Sequence, residues 1–90
     1  MNSIETLWVD FQNAGYGVRL ICSGTLKELQ EKKIELKDGL QLLIWSDDED
    51  DNGGKDNLLV EAVVKFSDVD HCWVAQFDKN NLKHESQRRY

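Results

Sequence analysis

Carboxylates crowd one stretch of the chain. Residues 46–57 read Ser-Asp-Asp-Glu-Asp-Asp-Asn-Gly-Gly-Lys-Asp-Asn. Counted from Asp48, the oxygen-bearing side chains of Asp48, Asp50 and Asn52 fall at positions one, three and five, Gly53 at six and Asp56 at nine. That is how a calcium loop opens, with alternate oxygens wrapping a hard cation and a glycine allowing the sharp turn. The twelfth position calls for a bidentate glutamate and holds Leu59 instead. A site at Asp48, Asp50, Asn52 and Asp56 is therefore expected to bind a divalent cation only weakly, at the millimolar end of the range. The plainer reading of the same residues is a solvated loop whose repelled charges keep a hairpin end open and soluble. It is the preferred one.

Nucleophilic chemistry has less to stand on. His71 precedes Cys72 directly, and neighbouring residues of a strand point to opposite faces, so the two are poorly placed as base and nucleophile. The same alternation separates His84 from Glu85. No nucleophile elbow, phosphate loop, dinucleotide fingerprint or zinc-ligand spacing is present. The expectation is a protein without catalytic activity and without a cofactor.

Composition bounds the remaining classes. The 90 residues carry 17 acids and 11 bases, a formal net charge of −6. An acidic balance disfavours a nucleic-acid binder, because the phosphate backbone rewards excess Lys and Arg. The longest apolar runs, four residues each at 42–45 and 72–75, are far too short to cross a bilayer, so no membrane partner is expected. Residues 46–57 hold six acids and one lysine, so −5 of the −6 sits in that loop and the rest of the chain is close to neutral. The first residues have neither the basic nor the apolar region of a secretory signal. Cys22 and Cys72 both lie among apolar neighbours and read as reduced core thiols, in keeping with a cytoplasmic protein.

Hydrophobic spacing then suggests the elements. Ile4, Leu7, Trp8 and Phe11 follow the i, i+3, i+4, i+7 pattern of a helix face, and Ser3 suits its cap, which predicts a helix over 3–14. Residues 18–23 read as a strand. Thr25-Leu26-Lys27-Glu28 has the form of a capping box, so 25–33 is open between a short helix and a strand. Asp38-Gly39 marks a turn. Strands follow over 40–46, 58–67 and 72–78, with a short last one at 82–85 and a frayed tail at 86–90. The 90 residues are read as one domain: an N-terminal helix within 1–17, a β-rich unit over 18–85, and the tail. Apolar residues occupy both faces of the strands, which an antiparallel sheet with one wet face would not show. The N-terminal helix is the expected cover for the second face, and a homodimer is the alternative.

This order of signals resembles a small SH3-like barrel of the Tudor, KOW or Sm kind. The residues that carry the resemblance are 36–44 (Leu-Lys-Asp-Gly-Leu-Gln-Leu-Leu-Ile), 59–66 (Leu-Val-Glu-Ala-Val-Val-Lys-Phe) and 72–77 (Cys-Trp-Val-Ala-Gln-Phe). It implies a mainly-β α+β fold, an N-terminal helix packed on a small antiparallel barrel or curled meander. Tudor modules hold methylated side chains in an aromatic cage. Four aromatics of this chain do not gather in the sequence pattern, so that activity is not carried over. Fold alone does not give function.

Three functional readings remain. The first is a protein-interaction or adaptor module that meets an unidentified protein partner through Leu43, Trp45 and Val63. Of these, Trp45 ends a strand beside the polar loop, a suitable place for an interface anchor. The second is an acidic inhibitor or immunity-type protein facing a basic partner. The third is weak cation binding through the loop.

Overall fold

Strict alternation sets the faces of the sheet. In the computed structural model, which describes residues 4–11, 17–49 and 51–88, six strands form one mixed sheet with the order β1-β3-β4-β5-β2. The strands are β1 (Glu5–Trp8), β2 (Gly17–Arg19), β3 (Gln41–Ser46), β4 (Leu58–Ser67), β5 (Cys72–Gln76) and β6 (Lys83–His84), with α1 (Ser23–Lys32) between β2 and β3. The pairs β3–β4, β4–β5 and β2–β5 are antiparallel, while β1 runs parallel to β3. The ten-residue β4 is long enough to hold two neighbours end to end on one side: β5 along 63–67 and β6 at Leu58 and Leu59.

Side chains of one parity meet in rows across the sheet. Leu7, Ile44 and Val60 share a row, Leu42 and Ala62 the next, and Val64, Ala75 and Val18 another. All of these are buried, and with Val9, Leu20, Leu29 and Phe77 they make the core. Each of these leucine, isoleucine, valine and phenylalanine side chains contributes about 1.5–3 kcal/mol by leaving water. Phe11 closes one end of this core, edge-on to Phe77 at 5.6 Å between ring centroids.

Two expectations are corrected here. Residues 5–8, read as part of a helix over 3–14, form β1, and 12–14 lie outside the described residues. The helical spacing of Ile4, Leu7, Trp8 and Phe11 coexists with a strand pattern, Leu7 and Val9 inward and Trp8 outward. The ladder to β3 decides between them. The N-terminal helix is therefore not the cover of the second face. Among the described residues β1 and β2 end the strand order without pairing to each other, so the sheet is open rather than a closed barrel. The mainly-β α+β class stands.

The ambiguous stretch 25–33 is helical. Cys22 occupies the N-cap position of α1 with no side-chain cap, so Thr25 and Glu28 do not act as a capping box. They turn to β1 instead. Thr25 Oγ1 donates to the Trp8 carbonyl at 2.7 Å, and the Trp8 N–H donates to Glu28 Oε2 at 2.9 Å. Lys32 Nζ donates to the Thr6 carbonyl at 2.8 Å. Thr25, Glu28, Leu29 and Lys32 fall on one helix face by their spacing. The helix thus satisfies the outward edge of β1, a place where unpaired backbone groups invite another chain. At its other end Lys33 takes a left-handed conformation (φ 56°), and Ile34 N–H bonds back to the Leu29 carbonyl at 2.9 Å. This is a Schellman stop, and Ile34 packs on the core after it. Asp38-Gly39 makes its turn, with Gly39 at φ 88° and its N–H on the Val64 carbonyl.

Candidate functional site

The acidic loop leaves β3 after Ser46 and enters β4 at Leu58, two residues paired across the hairpin. It does not splay freely. Asp56 N–H donates to the Asp48 carbonyl at 3.0 Å, and Glu49 and Lys55 form an isolated bridge. The C-terminal segment then fastens it from the side. β6 pairs with the start of β4, and Glu85 N–H donates to the Asn57 carbonyl at 2.7 Å. His84 Nε2 lies 2.7 Å from Asp48 Oδ2. This is an ion pair when the imidazole is protonated and a hydrogen bond otherwise. Ser86 gives two bonds to Asp56, its N–H to Oδ1 at 3.0 Å and its hydroxyl to Oδ2 at 2.7 Å. The hydrogen bond from His84 holds the Asp48 carboxyl below the usual aspartate range, with the Glu49 backbone helping. Ser86, through hydroxyl and backbone, does the same for Asp56. Residues 86–88, expected to fray, belong to a 3-10 turn over Glu85–Arg88.

This arrangement bears on the cation reading. Asp48 and Asp56 offer their oxygens to His84 and Ser86 rather than to a shared centre. Asn52 is exposed, and Asp50 lies outside the described residues. Leu59, at the place of the bidentate ligand, is a β4 residue. Among the described residues no three His, Cys, Asp or Glu side chains group as a metal set.

The outer face of the sheet is the second feature. Trp8, Trp45 and Leu59 are register partners across β1, β3 and β4 and form one row on the face away from the core. Thr6, Leu43 and Glu61 form the next, and Val63 opposes Gln41 in the one after. The three residues anticipated from sequence, Leu43, Trp45 and Val63, thus share one face of two adjacent strands, all half-buried. The helix α1 packs at the β1 edge rather than across this face, with Gly24 close beneath the Trp8 ring. Trp8 Nε1–H reaches Asp47 Oδ2 at 3.3 Å, so the aromatic row runs directly into the acidic loop. Alternation along β4 puts Leu59 on the face of Val63, but Leu59 is not among the binding residues anticipated from sequence. Trp8 reads as helical in the sequence, and only the register to β3 reveals it on this face.

The histidine and cysteine positions do not assemble. His71 is exposed in the turn before β5 with φ 56°, and Cys72 starts the strand, half-buried. Cys22 and Cys72 are both free thiols and half-buried, outside the core cluster where the sequence placed them. Among the described residues no helix is long and apolar enough to cross a membrane. No family model matches the chain, and neither a curated protein nor a solved structure matches it.

Proposed function

We propose that the chain is a small, non-catalytic protein-interaction module acting in the cytoplasm. Its binding surface is the outer face of β1, β3 and β4, centred on Trp45 with Leu43, Val63, Trp8 and Leu59. The observation that carries this reading is the continuity of the Trp8–Trp45–Leu59 row with the acidic loop through the Trp8–Asp47 contact. An apolar, aromatic centre with a charged rim is the anatomy of a protein interface. The partner it fits is a protein with an apolar patch bordered by basic side chains, since the rim here is Asp47, Asp48 and Glu49. Such a rim speeds encounter and fixes orientation more than it adds affinity.

The test is affinity purification of the tagged full chain from its own host, beside Trp45→Ala and an Asp47→Asn/Glu49→Gln double variant. A partner retained by the native chain, lost with Trp45→Ala and weakened at raised salt supports the proposal. A partner lost only with the loop variant shifts the reading to an acidic inhibitor of a basic protein. The fastening of Asp48 and Asp56 by the C-terminal segment favours that second reading, because it gives two of the charges defined positions. Equal recovery by all three chains removes both. Sedimentation of the purified chain tests the homodimer, whose formation through this face would be abolished by Trp45→Ala.

A further inference from the structure

At the end of β4 remote from the acidic loop, the outer face carries a hollow of about 240 Å³, bounded by β2, β5 and the β4–β5 turn. Arg19, Val74 and Lys65 are register partners on three neighbouring strands, so a cation stands on each side of Val74. Their Cα atoms are two strand spacings apart, roughly 10 Å. Both side chains are long enough to reach one point above Val74. Neither has an ion-pair or hydrogen-bond partner for its charged group among the described residues. The floor is bare: Gly17 lies against Val74, and a Cβ there would meet Val74 Cγ1 at 2.8 Å and the Ala75 carbonyl at 3.3 Å. Gln76 opposes Gly17 and adds an amide. Asp70 stands at the rim with its carboxylate taken by the Ser67 hydroxyl at 3.2 Å.

Two cations without an ion-pair partner line one hollow, with the single Asp70 carboxylate at its rim, in a chain of net charge −6. The acidic loop does not compensate them. Leu58 and Lys65 are seven residues apart on one strand, roughly 23 Å, which exceeds the ~8 Å screening length at physiological salt. We infer that this hollow binds the phosphate group of a small phosphorylated molecule. The guanidinium fork of Arg19 and the point charge of Lys65 would take different oxygens of one tetrahedral dianion, with the Gln76 amide as a third donor. A phosphate monoester offers three strong acceptor oxygens and about −1.5 to −2 charge at pH 7, so it can engage both cations at once even with the Asp70 carboxylate at the rim. The volume lies below the range of ~300–1,000 Å³ typical of drug-sized ligands, so the ligand is small. Asp70 would accept a hydrogen bond from a hydroxyl or amine beside the phosphate. The site borders the aromatic surface on the same face, where Gln76 pairs with Val63, but it does not depend on the interaction proposed there.

The experiment is a two-dimensional amide NMR titration of the full chain at fixed ionic strength with inorganic phosphate, with acetate and chloride as separate arms. Saturable shifts confined to residues around Arg19, Lys65, Val74 and Gln76 are expected with phosphate, weaker ones with acetate and none with chloride. Arg19→Gln and Lys65→Gln should each weaken phosphate binding roughly tenfold, the loss of one charge-assisted contact. Both side chains are exposed, so the native dispersion of the spectrum should persist. Shifts that fail to saturate, that chloride reproduces, that centre on lysines elsewhere, or that survive both substitutions overturn the inference. So does acetate binding more tightly than phosphate.

Discussion

Thr25 shows how one hydroxyl can decide where a helix sits. It is 1% exposed, the one buried polar side chain in the described core, and its hydroxyl is committed to the Trp8 carbonyl. Thr25→Val keeps the shape and removes the donor. It should lower stability by about 1–3 kcal/mol, the cost of leaving a buried carbonyl unpaired, whereas Thr25→Ser should lose less. Urea unfolding at constant slope measures both. Lys33 makes the opposite case. Its left-handed backbone at φ 56° is where a glycine fits without strain. Lys33→Gly should raise stability by roughly 0.5–1 kcal/mol, read as a higher midpoint in the same assay. Neither role was legible locally. Thr25 and Glu28 look like a capping box in sequence, and only the presence of a strand edge 17 to 20 residues earlier gives them other work.

At the scale of elements, β3, β4 and β5 were readable because they are short apolar, β-branched runs bounded by turn residues and their turns are local. Leu42 and Ile44, then Val60, Ala62 and Val64, could be assigned to one face from spacing alone. The strand β1 could not. Its Leu7 and Trp8 also fit a helical stripe with Ile4 and Phe11, and its partner lies 37 positions along the chain, from Glu5 to Leu42. The fastening of the acidic loop by β6 and the 3-10 turn after it was invisible for the same reason: His84 and Asp48 are 36 residues apart. That fastening should respond to acid. The folded-state carboxyls of Asp48 and Asp56 titrate below their unfolded value, near 3.9. Their contribution is complete above that value and is lost as pH falls through the lower, folded one. Amide protection at Ser86, whose N–H is held by Asp56, taken relative to the intrinsic exchange rate at each pH, should persist through the ordinary carboxyl range and be lost only below it. Asp56→Asn, whose amide does not titrate, should remove the acid dependence at Ser86 and leave the protection of β4 and β5 unchanged.

For the whole molecule the inner face of the sheet carries the core, and the outer face carries the proposed recognition. Ile44→Ala empties a fully buried position and should cost about 2–5 kcal/mol, measured by thermal or urea unfolding. Leu43→Ala, one residue away and half-buried on the other face, should cost well under half as much while weakening the proposed partner contact. A chain in which both substitutions were equally harmful to stability would have no face to spare for a partner. Charge is divided too. The acidic loop lies at one end of β4, and Arg19 and Lys65 stand at the other with Asp70 beside them. The sequence exposed the first concentration directly, because those residues are consecutive. It hid the second, because Arg19 and Lys65 meet only through the β2–β5–β4 register.

The parallel ladder between β1 and β3 also has a history in time. Hairpins such as β3–β4 and β4–β5 close short loops, whereas β1 must wait for a strand 37 positions away, and long closures are slow. Until then residues 4–11 have no ladder, and their Ile4, Leu7, Trp8 and Phe11 spacing favours a transient helix. The segment is expected to convert from helix to strand during refolding. Trp73, within the meander, should reach its native fluorescence before Trp8, which the single-tryptophan variants of this chain can follow separately.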